Sequence, residues 1–148
     1  MGIRRQAREG ALQGLFMADF HGTWELDEVG FCLDHFSLED SVRSFADMLV
    51  EGVIANKDKI DSKITWASNR WSITRMSRID RTIIRLATFE LVFCKETPVN
   101  VVINEAIEIA KRFGTEDSPT FINGVLDKIA SKEGDSVQKS TEDGAEAA

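Results

Sequence analysis

Arg4, Arg5 and Arg8 stand close together near the start of the chain, in "RRQAREGALQGLF". Guanidinium groups at this spacing suggest anion binding. Arginine's planar fork grips phosphate in a bidentate manner that lysine cannot copy. The placement is unusual on two counts. A helix N-terminus carries partial positive charge and disfavours cations by about 0.3–1 kcal/mol each. The chain is also acidic, with a net charge of -7. At about 100° per residue, with Arg4 at 0°, Arg8 falls near 40° and Arg5 near 100°. Leu15, Leu12 and Phe16 fall near 20°, 80° and 120° on the same scale. The arginines therefore lie in line with the apolar stripe, one or two turns before it. This predicts stems resting on apolar surface and charged heads projecting at a rim. The plainer account is an ordinary basic helix end, with Glu9 offsetting Arg5 in the weaker i, i+4 orientation.

Other chemistry is poorly supported. His21, Cys32, His35 and Cys94 are potential metal ligands, and Cys32-x-x-His35 has usable spacing. A second close pair, which structural zinc sites usually have, is missing. No nucleophile motif is present, and neither histidine sits in a catalytic signature. No metal, cofactor or catalytic residue is expected. Two distant cysteines suggest thiols rather than a disulfide framework. The start resembles an amphipathic helix rather than a signal peptide, and no run approaches the ~20 apolar residues of a membrane helix. A cytoplasmic protein is the expectation.

The elements that must hold the arginines are helices. Ile3, Ala7, Ala11, Leu12, Leu15, Phe16 and Ala18 recur at intervals of three and four, and Gly22 follows. A weaker helix is expected over about 26–36. "SLED" predicts the next start, with Ser37 as cap and Asp40 at the third helical position. Val42, Phe45, Ala46, Leu49, Val50, Val53 and Ile54 then form a stripe, continued less regularly by Ile60, Ile64 and Trp66. A long helix is expected over about 73–94. Thr97–Pro98 and Ser118–Pro119 both look like a cap followed by the first helical residue. Gly114 is expected to end the intervening helix in the left-handed conformation. No segment alternates with period two amid turn chemistry. The expectation is an all-α, compact helical bundle of six to seven helices. It occupies residues 1–133. Residues 134–148, with four acids and one lysine, carry -3 of the charge and a single sizeable apolar residue. This composition predicts a disordered acidic tail.

Three blocks carry a family resemblance: "RRQAREGALQGLF" (4–16), "RIDRTIIRLATFEL" (78–91) and "PVNVVINEAIEIAKRFGTEDSPTFINGVLDKIA" (98–130). They resemble the signature blocks of the NusB family of bacterial transcription antitermination factors, and the likeness covers most of residues 3–131. The resemblance implies a fold of two small helical subdomains with no enzymatic activity. It implies binding of the boxA element in leader RNA of ribosomal RNA operons. It also implies a heterodimer with NusE, a small-subunit ribosomal protein, that joins RNA polymerase and other Nus factors and suppresses termination. By position, Arg4, Arg5 and Arg8 match the family's RNA-binding start. Phe113, Glu116, Asp117, Ser118, Phe121 and Asn123 match the segment beside it. Asp80, Arg81 and Arg85 match the surface that meets NusE. Some family members are thought to self-associate, and a homodimer would hide the arginines.

The residues fit single-stranded RNA, which is read by stacking on aromatic rings, hydrogen bonds to base edges and cations on the backbone. Phe113 and Phe121 offer rings, although both also lie on apolar stripes. Glu116 and Asp117 can accept from base amino groups. A Ser118 cap would leave helix N–H groups aimed outward at a phosphate. Glu90 and Asn104 lie near apolar faces and read as structural; a buried Glu90 needs a cationic partner, for which Arg85 is one candidate. Two alternatives compete. One is a protein–protein adaptor without RNA, which leaves the arginine rim unexplained. The other is the NusB-like accessory domain of ribosomal RNA methyltransferases, for which 148 residues leave no methyl-donor site.

Overall fold

The computed structural model describes residues 2–36, 38–69 and 72–147, with side chains described through residue 134. Among these residues are seven α-helices and no strand: α1 (Ile3–His21), α2 (Leu26–Asp34), α3 (Asp40–Ala55), α4 (Lys57–Ser68), α5 (Arg78–Phe93), α6 (Val99–Phe113) and α7 (Ser118–Ala147). The expected all-α bundle is the fold observed. α1 packs on α2 and α3, while α4, α5, α6 and α7 pack on one another. Contacts of α5 with α1 and α3 join the two groups.

Apolar spacing explains the packing. Ala7, Ala11, Leu12, Leu15 and Ala18 of α1 are buried, as are Ala46, Leu49, Val50 and Val53 of α3. α5 lies deepest, with its residues 82–91 all buried. A helix surrounded by neighbours has no wet face, so the charged residues within that stretch, Arg85 and Glu90, need partners on other helices.

The boundaries differ from the sequence expectation in instructive ways. α5 begins five residues later than expected. A 3-10 turn covers Ile73–Arg75, and Ser77 caps α5 by accepting from the Asp80 N–H at 3.1 Å. α3 starts at Asp40 with Glu39 in the cap position, so Asp40 is the first helical residue and not the third; Ser37 lies outside the described residues. The stripe from α3 breaks at Asn56, whose side-chain amide donates to the Gly52 carbonyl at 2.9 Å. In α4 the buried position falls to Ala67, and Trp66 is 44% exposed. Gly114 is extended (φ -94°, ψ -169°), not left-handed. Its missing side chain matters for space: a Cβ there would sit 2.6 Å from the Ser118 Oγ and 2.9 Å from the Ala110 carbonyl oxygen. The backbone of residues 134–147, for which a disordered acidic tail is expected, continues α7; their side chains beyond residue 134 lie outside those described.

Gly52 has a similar steric role. A methyl group on it would enter the ring of Phe89, only 2.6 Å from Cε1. Phe89 is buried and stacks on Phe93 at 5.5 Å between centroids, so it has little room to yield. Gly52→Ala is therefore expected to cost about 1–3 kcal/mol as overpacking, despite alanine's better helix propensity. Chemical denaturation reads this directly; a stabilised variant would contradict the close approach.

Candidate nucleic-acid interface

The three arginines of α1 meet three different fates. Arg4 is exposed, with its guanidinium 5.2 Å from the centre of the Phe45 ring. Arg5 is half-buried and forms a bidentate pair with Glu105 of α6: Nε and Nη2 donate to the two carboxylate oxygens at 2.7 and 2.9 Å. Arg8 is not at the rim. Its side chain is 4% exposed, and Nε and Nη2 donate to Glu90 at 2.8 and 2.7 Å. The expectation of Arg8 as an RNA contact is thus corrected: a guanidinium sealed between helices against its own carboxylate does not reach a phosphate. Burial opposes the charge on Arg8, but the hydrogen bonds and negative charge of Glu90 outweigh it and hold the guanidinium pKa above its usual value. Glu90 is structural, as expected, and its partner is Arg8 rather than Arg85. Asn104, read as structural, is exposed.

The Arg5–Glu105 clamp also has a signature in pH. The hydrogen bond from Arg5 holds the Glu105 carboxyl below its ordinary value of 4.5, against the opposing effect of burial. A depressed carboxyl stabilises the fold above its unfolded pKa and loses that contribution as pH falls through the folded one. Glu105→Gln is expected to cost about 1 kcal/mol at neutral pH. The gap between variant and wild type should narrow as pH drops below 4.5. A gap constant between pH 7 and pH 3 would contradict the clamp.

The segment around α7's start is built differently from the expectation. Ser118 is the first residue of α7, and the Phe121 N–H donates to the Asp117 carbonyl, so Asp117 holds the cap position. Ser118 is buried. Its hydroxyl accepts from the Thr115 N–H at 2.9 Å and donates to Asp80 at 2.7 Å. The expected role as a helix cap presenting N–H groups to phosphate gives way to a link between the α7 and α5 starts. Glu116 and Asp117 are exposed; Phe113, Phe121 and Asn123 are half-buried.

The expected partner surface is also largely internal. Arg85 is 6% exposed and donates to both Asp61 oxygens at 2.8 and 3.1 Å, with Asp19 at 3.5 Å. Arg81, 13% exposed, meets Asp19 at 2.6 Å. Asp80 is held by Ser118. These residues knit α5 to α1, α4 and α7, so Arg85 in particular is corrected from surface contact to buried tie. Beside them Arg78 is exposed and lies 5.1 Å from the ring centre of Phe20.

Two hollows flank the start of α5. One, of about 340 Å³, is walled by Leu12, Gln13, Phe16, Met17, Ile79 and Phe113. The other, of about 250 Å³, is lined by Arg75, Met76, Ser77, Asp80, Asp117 and Phe121. The two hollows share no lining residue; between them they supply the aromatic walls, the arginine and the two carboxylates of a candidate groove. Phe113, Asp117 and Phe121 of the expected set line it; Glu116 and Asn123 do not. Gln13, Phe16, Met17 and Arg75 were missed, because on a helical wheel they are indistinguishable from core and its margin. A hollow of about 370 Å³ between α1 and α2 contains Asp27 and Glu28 and no lysine or arginine, which makes it unsuited to phosphate. Among the described residues no group of three or more His, Cys, Asp or Glu is placed to hold a metal ion. No described helix is long and apolar enough to cross a membrane.

Comparison with known proteins places this geometry in a family. Residues 5–131 match the model of the NusB family. The transcription antitermination protein NusB of Geobacter sulfurreducens is 52% identical over 132 residues, covering 88% of this chain and 96% of the relative. A solved structure of T. maritima NusB superposes with a TM-score of 0.78 at 39% identity, covering 86% of this chain and 90% of that one. A crystal structure of antitermination factors NusB and NusE in complex with double-stranded RNA matches with a TM-score of 0.81 at 26% identity, covering 89% and 98%. On the sequence match and the fold together, the chain belongs to the NusB family of transcription antitermination proteins, which are not enzymes.

Proposed function

We propose that this protein binds boxA leader RNA of ribosomal RNA operons together with NusE, and that the pair helps RNA polymerase and other Nus factors read through terminators in the cytoplasm. The observation that carries the reading is the pair of aromatic-walled hollows at the α5 start, in the same bundle as the cationic end of α1. Phe16, Phe113 and Phe121 supply rings for unpaired bases. Asp117 and Asp80 can accept from base amino groups, and Arg75 supplies a cation. Arg4 is exposed, and the bidentate Arg5–Glu105 geometry is the one a phosphate would adopt on exchange with the carboxylate. The solved complex of a related NusB with NusE and double-stranded RNA supports NusE and RNA as the classes of partner. Asp80, Arg81 and Arg85 then serve NusE by fixing the start of α5 rather than by touching it.

The reading explains how an acidic protein binds RNA. Negative charge elsewhere opposes indiscriminate contact, so affinity depends on a local patch and is expected to be modest and salt-sensitive. Filter binding of a short boxA RNA and a scrambled one, with and without NusE, tests it. Preferential retention of boxA, strengthened by NusE, is expected. Heterodimer formation with no preference for either RNA would instead favour a pure protein adaptor.

A further inference from the structure

Trp66 of α4 is 44% exposed, and two ammonium groups converge on its ring. Lys132 Nζ lies 4.1 Å and Lys128 Nζ 5.6 Å from the ring. Beside them Lys63 and Lys95 share one carboxylate, Glu133, at 2.6 and 4.0 Å. Four lysines against one acid give this cluster a charge of +3 in a chain of net -7. An exposed indole covered by flexible ammonium groups offers a stacking face to a nucleobase once those groups swing out to the flanking phosphates.

Its position on α7 indicates which nucleic acid. Phe121, which lines the groove, precedes Lys128 by seven residues and Lys132 by eleven. At about 100° per residue, the three lie within about 20° of one line along the helix. Lys128 is then about 10 Å, and Lys132 about 16 Å, beyond Phe121 along the axis. A strand leaving the groove along α7 runs onto Trp66 and its lysines.

We propose that the Trp66–Lys128–Lys132 face is a second, sequence-independent contact for the RNA strand held in the groove. This rests on the groove reading above and adds a length dependence to it. The ring takes any base, because every base has a π-face, and the lysines take backbone phosphates.

The test uses the whole chain at low ionic strength, a short boxA RNA, and the same RNA extended by uridines at either its 5′ or its 3′ end. The extension at one end should tighten binding to wild type by about tenfold. Both Trp66→Ala and Lys128→Ala/Lys132→Ala should lose that gain while binding the short RNA as before. The double lysine variant, altered only at exposed positions, should also lower the salt slope for the extended RNA by about 1.4, two phosphates' worth for a single strand. Wild type that binds the short RNA but gains nothing from either extension would overturn this proposal and leave the groove reading standing. So would variants that keep the gain. Wild type that binds neither RNA would overturn both.

Discussion

Glu90→Ala is expected to destabilise the protein by about 3–5 kcal/mol, because it strands the Arg8 guanidinium in a dry interior. Each of these side chains is almost fully covered, at 4% and 2% exposure, and two hydrogen bonds join them, with the Phe45 ring 5.4 Å from the guanidinium. Arg8→Ala leaves the reverse defect, an unpaired buried carboxylate, and is expected to cost about as much. The double replacement Arg8→Met/Glu90→Leu is expected to be near neutral or stabilising, since taking two charges out of water costs nearly what their attraction returns. Urea denaturation of the three variants checks the pattern. It also separates support from contact: the Met/Leu protein should bind RNA as wild type does. A folded Arg8→Ala protein with unchanged stability and lost RNA affinity would contradict the burial of Arg8.

Arg85→Ala is the second large effect, expected at about 3 kcal/mol or more. Arg85 satisfies both oxygens of Asp61 and reaches Asp19. Its guanidinium also lies 5.3 Å from the centre of the Trp24 ring. Without it, Asp61 retains Lys57 at 3.2 Å, and Asp19 retains Arg81. The loss therefore falls mainly on Asp61, and Asp61→Asn in the Arg85→Ala background should recover part of it. A surface arginine facing a partner would give a different result: intact stability and weakened NusE pairing. The denaturation midpoint distinguishes the two roles without NusE being present.

These two arginines also show what the sequence reveals and what it leaves out. The 3.6-residue spacing of apolar side chains identifies α1, α3, α6 and the first part of α7, because burial of a stripe is what stabilises a helix in a bundle. The wheel angle of Arg8, near 40° between Leu15 and Leu12, reads as a place at the rim, whereas the residue is buried. A residue between two core leucines is buried unless the chain ends first. Glu90 likewise shows its need for a cation, sitting between Ala87 and Leu91. The two halves are 82 residues apart in sequence, and no local rule joins them. Arg85 and the other arginines of the 75–85 run are the candidates by sequence, because helix periodicity says which face a residue takes but not which neighbour that face meets. Helix starts erred for a related reason. Ser77 caps α5 with its own hydroxyl, Pro98 rather than Thr97 holds the cap position of α6, and Asp117 rather than Ser118 that of α7, although Thr97 and Ser118 have equally suitable side chains. Of the site, Phe113, Asp117 and Phe121 were legible from the family's motif. Gln13, Phe16 and Arg75 became visible only once α1, α5 and α6 were packed together.

The central claim is that cations at the exposed end of α1 hold RNA phosphates. The most direct measurement is the affinity of Arg4→Ala/Arg5→Ala for boxA RNA, with NusE present, across a series of salt concentrations. Wild type should lose affinity steeply as salt rises, and the variant should bind more weakly with a slope smaller by roughly 1.4, one phosphate per arginine. An unchanged affinity and slope would mean that these arginines touch no backbone, and the account would be wrong at its root.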